Sequence, residues 1–291
     1  MKTISLLLTG LLLAVSHATA QITIEVVTDQ DQFLLGESLP VAVKITNRSG
    51  RQLHLGAEAD WLTFSVESSD GFVVIKKSEV PVVGAFELES SQEATKRVDI
   101  APSFVLGKPG RYKIIASLRV KELSAQTASA PKTFDIINGA KLWSQEFGVP
   151  ATNGTPEMRK YTLEQASYLR AQMRLYVQLS DAAESRVIKT RALGSSVSFS
   201  RPEAQVDRLS VLHVLWQTGA QSFNYCVVDP GGDILRRDIF DDFNTRPRLT
   251  VNESGDVQVI GGVKRAKPGE IPKVKLPVET SVTNSAAPVA K

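Results

Sequence analysis

Arg201-Pro202-Glu203-Ala204-Gln205-Val206-Asp207, followed by Leu212-His213-Val214-Leu215, returns 45 residues later as Arg246-Pro247-Arg248-Leu249-Thr250-Val251-Asn252, followed by Val257-Gln258-Val259-Ile260. No gap separates the paired segments. Apolar residues alternate in both copies, and alternation puts one face of a strand in a core and the other in water. A repeat of about this length with that pattern predicts a four-stranded antiparallel unit used more than once.

The repeat extends upstream. Leu175-Tyr176-Val177-Gln178-Leu179-Ser180-Asp181, then Arg186-Val187-Ile188-Lys189, corresponds to Phe223-Asn224-Tyr225-Cys226-Val227-Val228-Asp229, then Asp233-Ile234-Leu235-Arg236. The turns between them open on Asp181, Asp229 and Asn252. Such side chains bond the backbone two residues on, and Gly231, Gly232 and Gly255 suit the tight return. Each unit reads as strand, turn, strand, Arg-Pro loop, strand, turn, strand. It resembles the blade of secreted propeller-type repeat proteins, without the Asp-box of sialidases or the Trp-Asp pair of the intracellular repeats, so the resemblance carries no activity. Two blades leave a core open, and three devices are available to close it. Residues 141–173 can form a third unit, the preceding domain can cap the stack, or an open blade edge can take a second chain.

Ahead of the repeat, apolar residues alternate through Ile22-Ile24-Val26, Leu39 to Ile45, Leu62 to Val66, Val98-Ile100, Tyr112 to Val120 and Phe134-Ile136. Six one-sided strands need a partner sheet, which predicts an antiparallel sandwich over residues 21–138. Gly110-Arg111-Tyr112-Lys113-Ile114, after Lys108-Pro109, resembles the tyrosine corner of immunoglobulin-like domains. The stretches Glu37–Asn47 and Lys108–Leu118 resemble bacterial extracellular immunoglobulin-like modules and the sandwich of the proteinase-inhibitor type named for its Bacillus member. The resemblance implies the fold, and no inhibitory loop is recognisable. Trp61 has the opposite parity to Leu62, Phe64 and Val66, and is read as packing under the loop Val80–Gly84. The fold class is therefore all-β: a sandwich followed by blade-like sheets over 139–265. Residues 158–174 fit a helix and a strand equally.

Residues 1–20 carry Lys2, an apolar run from Leu6 to Val15 and Ala18-Thr19-Ala20, the pattern of a secretory signal peptide. The run is too short to span a bilayer, so no membrane span is expected. Localisation is read as secreted or periplasmic. Residues 266–291, rich in Lys, Pro, Ser and Thr, are read as a disordered tail. A net charge of +3 spread over 291 residues argues against nucleic acid. The single cysteine, Cys226, forbids an intramolecular disulfide and reads as a small buried hydrophobe.

Chemistry is sparse. His54 and His213 stand at no zinc-ligand spacing, and no nucleophile elbow, P-loop or dinucleotide fingerprint is present. No catalytic residue, metal or cofactor is assigned. His213, among apolar neighbours, reads as a satisfied strand histidine. Asp229, Asp233, Asp238, Asp241 and Asp242 form the strongest acidic group, and turn chemistry already accounts for part of it. Arg201 and Arg246 read as structural, tying neighbouring loops through backbone carbonyls. If they are functional instead, they share an exposed depression with Trp216, Tyr225 and Phe243, the candidate ligand-binding set. The expected function is a non-catalytic binding or structural module with an extracellular protein or glycan as partner. The alternatives are a carbohydrate-active enzyme using paired aspartates and a proteinase inhibitor acting through the sandwich.

Overall fold

The computed structural model describes residues 22–150, 154, 156–168 and 172–266. The leader assigned to residues 1–20 and the tail from 267 onward lie outside the described residues. Within them the fold is all-β, built from several antiparallel sheets, none of which closes into a barrel.

The first ten strands are β1 (Ile22–Thr28), β2 (Gln32–Leu34), β3 (Pro40–Asn47), β4 (Leu53–Leu55), β5 (Leu62–Ser68), β6 (Phe86–Leu88), β7 (Glu93–Asp99), β8 (Gly110–Val120), β9 (Ala125–Ala128) and β10 (Lys132–Ile137). One sheet runs β1-β3-β7 and the other β2-β10-β8-β5, with β9 also on β8; a short β4-β6 pair stands apart. The alternating residues of both sheets meet in one core that includes Val43, Ile45, Phe64, Ile114, Leu118 and Phe134. Tyr112 is fully buried, stacks on Phe134, and donates its hydroxyl to the Lys108 carbonyl at 2.6 Å. That is the corner geometry read from the sequence. Trp61 is buried, and its indole N–H donates to the Val82 carbonyl at 3.1 Å, so it packs under the Val80–Gly84 loop.

The remaining strands form a stack of three sheets. The first is the meander β11 (Ala140–Val149), β12 (Glu157–Tyr168), β13 (Gln172–Asp181) and β14 (Val187–Ser196). The second is β15 (Glu203–Val206), β16 (Leu212–Gln217), β17 (Ser222–Val228) and β18 (Ile234–Asp241). The third is the hairpin of β19 (Arg248–Val251) and β20 (Val257–Ile260), after which β21 (Val263–Lys264) folds back onto β18.

Two expectations are corrected here. The ambiguous stretch is strand over 158–168 and 172–174, its described part, and it completes the first meander instead of adding a unit. The Arg-Pro loops do not sit inside a unit either: they are joints between sheets, joining β14 to β15 and β18 to β19. A tandem repeat looks the same wherever its boundary is drawn, so the pattern alone could not place the joints.

Sheets one and two share a core of Tyr161, Leu163, Leu175, Val177 and Leu179 against Leu212, Val214, Trp216 and Cys226. The other face of sheet two carries Leu215, Phe223, Tyr225 and Phe240, covered by Leu249 and Val259 of the hairpin. The outer face of sheet one meets the sandwich, where Leu34 packs with Ala166 and Tyr176. This seam is also hydrogen-bonded: Thr190 N–H donates to the Gly36 carbonyl at 3.0 Å and Thr190 Oγ1 to the Leu35 carbonyl at 2.6 Å. Of the three closing devices, the sandwich cap is the one the chain uses on that face.

Candidate binding site

Sheet two places its side chains by register. Trp216, Asn224 and Ile239 are directly opposite on β16, β17 and β18, so they share the face turned toward sheet one. Leu215, Tyr225 and Asp238 form the adjacent row on the opposite face. Trp216 and Tyr225 thus belong to different faces of one sheet, and both are buried. Together with Asn224, Arg237, Asp238, Ile239, Arg265 and Ala266 they line a cavity of about 290 Å³.

The cavity walls are pinned. The Trp216 indole N–H donates to the Ser195 carbonyl at 2.9 Å. Arg237 donates to the carbonyls of Leu193 and Ala192 at 2.5 and 3.0 Å, capping the bulged part of β14. Arg265 donates to both Asp241 oxygens and closes over the edge of β18. On the facing strand Gly194 has φ +139°, a backbone that side chains resist, and a Cβ there would lie 3.7 Å from Trp216 and from the Asn224 amide. The Asn224 side chain, half-buried beside Trp216, has no hydrogen-bond partner among the described residues. Aromatic and aliphatic walls around one unspent amide, with guanidinium groups at the rim, suit a small amphipathic molecule.

The other face of sheet two holds a polar chain. Tyr225 Oη lies 2.6 Å from His213 Nδ1, and His213 Nε2 lies 3.3 Å from Asp207 Oδ2. The geometry suits an imidazole that accepts from Tyr225 and donates to Asp207, whose other oxygen takes the Leu209 and Val211 amides. His213 is therefore a satisfied strand histidine. Cys226 is buried in the shared core, where desolvation pushes its thiol up to about 11.

Four of the five acidic residues are spoken for by local partners. Asp229 caps its own turn through the amides of Gly231 and Asp233. Asp233 pairs with Lys189 and Arg191, and Asp241 with Arg265. The Asp238 carboxylate is fully enclosed; burial works against its charge, but Arg236 at 2.5 Å and Lys264 at 3.2 Å hold it below the ordinary carboxylate value. Asp242, half-buried, donates its backbone amide to Gln221.

No protein-family model matches the chain, and no curated protein matches it. Among solved structures, the sporulation control protein Spo0M from Bacillus subtilis aligns with 85% of this chain and 91% of its own, at 10% identity and a TM-score of 0.29. An overlap that loose carries no argument.

The structure separates the five candidate residues. Trp216 and Tyr225 line the cavity, while Arg201, Arg246 and Phe243 are exposed on the loops joining the sheets. The structural reading of the arginines, as ties through backbone carbonyls, is corrected. Neither is buried, and Arg246 meets the Ser200 hydroxyl at 3.3 Å and the Phe223 ring at 5.1 Å, with no backbone carbonyl as acceptor among the described residues. Asn224, Arg237, Arg265 and Gly194 escaped the sequence reading. An asparagine between Phe223 and Tyr225 in an apolar strand was the one available signal.

Proposed function

We propose that this chain is a secreted or periplasmic, non-catalytic binding module that takes a small amphipathic molecule in the cavity lined by β16, β17 and β18 of its second sheet together with Arg265. One observation carries the reading: pinned, largely apolar walls leave room around an Asn224 amide with no partner among the described residues. A buried or half-buried amide gains from any ligand that supplies a donor or acceptor there. Trp216 and Ile239 provide the apolar contact, and Arg237 and Arg265 favour a ligand with a carbonyl or anionic end. The carboxylates nearby are engaged by cations and turns, which supports binding over hydrolysis.

Benzamide, an aromatic ring bearing an amide, is a suitable probe. It should raise the melting temperature in proportion to its occupancy of the folded state. Asn224→Leu should remove most of that shift, and Ile239→Trp, which fills the space, should remove it while leaving the chain folded. A wild-type chain that gains nothing from benzamide, or variants that gain as much as the wild type, would sink the reading.

A further inference from the structure

The stack of sheets is polarised end to end. At one end lie the tight turns, and their first residues are acidic or amide: Asp181 takes the Arg186 amide, Asp207 those of Leu209 and Val211, Asp229 those of Gly231 and Asp233, and Asn252 that of Asp256. At the other end lie the two Arg-Pro loops, which carry Arg201, Arg246 and Arg248.

Register fixes the location of that second end. Glu203 opens β15 opposite Leu215, Asp241 closes β18 opposite Ser222, and Arg248 opens β19 opposite Ile260. Both loops therefore emerge beside the Gln217 end of β16. They also touch: Arg246 bonds Ser200, and Leu249 N–H donates to Glu203 at 2.8 Å. Each loop carries a phenylalanine just ahead of its Arg-Pro pair, Phe199 at 79% exposure and Phe243 at 66%. Ile260 and Val263 are exposed at the same end.

Arg201, Arg246 and Arg248 are exposed here and form no ion pair with any carboxylate among the described residues. Two of the three acidic groups of this end are already used. Asp241 takes Arg265 and Glu203 takes the Leu249 amide, whereas the half-buried Asp242 forms no ion pair among the described residues, so three guanidinium groups stand against one carboxylate. Two protruding rings are thus bracketed by three unneutralised guanidinium groups on adjacent loops.

We infer that this end of the stack docks on an anionic lipid surface. The rings project outward instead of lining a groove. A protein partner would need a preformed pocket for each ring, whereas the interfacial layer of a bilayer yields to any small apolar projection. Guanidinium groups beside the rings then lie at phosphate level, where each contributes roughly fivefold to partitioning on an anionic surface.

Co-sedimentation of residues 21–291 with phosphatidylcholine vesicles, with and without phosphatidylglycerol, tests the inference. Removing the first twenty residues keeps the apolar leader out of the measurement. Binding should require phosphatidylglycerol and weaken with salt. Arg201→Glu with Arg246→Glu should reduce it at least tenfold. Phe199→Ser with Phe243→Ser should keep the melting temperature yet lose the salt-resistant part of the binding. Absence of vesicle binding overturns the inference, as does full binding by the phenylalanine pair, which would reduce the contact to charge alone. Equal displacement by soluble polyglutamate and by phosphatidylglycerol vesicles would assign the surface to an acidic protein and overturn it as well.

Discussion

Arg246 reaches back across one sheet boundary to bond Ser200, the residue immediately before Arg201, so the second Arg-Pro loop leans on the first. The contact is exposed, and its other component is a cation over the Phe223 ring. Exposed contacts of this kind contribute little to stability. Arg246→Lys should therefore change unfolding free energy by no more than about 0.5 kcal/mol. A loss above about 2 kcal/mol in denaturant titration would restore a structural role to this arginine.

Tyr112 presents the opposite case. Its ring is enclosed between Phe72 and Phe134 and its hydroxyl has a single backbone acceptor, Lys108. Tyr112→Phe should destabilise the chain by about 1 kcal/mol, the net worth of one hydrogen bond plus an acceptor left dry. An unchanged denaturation midpoint would show that solvent replaces the tyrosine at Lys108.

Arg246 and Tyr112 mark how far the sequence could be read. Period-two alternation marked β1, β3, β5, β8 and β10, because six or more residues are enough to display a buried face. The three-residue strands β2, β4 and β6 are too short to display any period. Gly-x-Tyr after a Lys-Pro turn located Tyr112, since that motif is local. The cavity was hidden, because Trp216, Asn224 and Ile239 become neighbours only once cross-strand register is set. The arginines misled for a related reason: recurrence at a fixed offset shows that a position is equivalent in two units, and says nothing of its exposure.

Asp238 titrates in the direction expected of a paired carboxylate. Its folded value lies below the ordinary one because Arg236 and Lys264 outweigh burial, so its contribution is present at neutral pH and is lost as pH falls through the folded value. Asp238→Asn should cost about 2 kcal/mol at pH 7 and progressively less in acid. A penalty independent of pH between neutrality and the acid limit would mean that packing, not charge, is what the side chain supplies.

Glu37 shows the reverse sign. Burial in the seam raises its carboxyl above the ordinary value, against the lowering effect of the Leu34 amide and Gln30. A raised carboxylate favours the folded state below its unfolded value, and the benefit disappears as pH rises through the folded value. The stability of Glu37→Gln relative to the wild type should therefore increase from about pH 4 to pH 7. A relative stability that falls over that range would show that Glu37 is charged and well satisfied in the seam.

Gly36 tests the seam itself. Its φ of +76° is a left-handed value, and a Cβ there would lie 2.4 Å from Val187 Cγ1 on β14. Its carbonyl accepts from Thr190 N–H, and the neighbouring Leu35 carbonyl accepts from Thr190 Oγ1, so the loop cannot retreat from Val187 without losing both bonds. Gly36→Ala should cost about 1–3 kcal/mol from backbone strain, with the close contact in addition. The damage should concentrate where the sandwich meets sheet one. Hydrogen exchange should quicken at Thr190 and leave the Tyr112 region protected, because the sandwich core does not depend on that loop. Uniform loss of protection throughout the chain would show that the sandwich and the stacked sheets fold as one cooperative unit, and that Gly36 holds more than the seam.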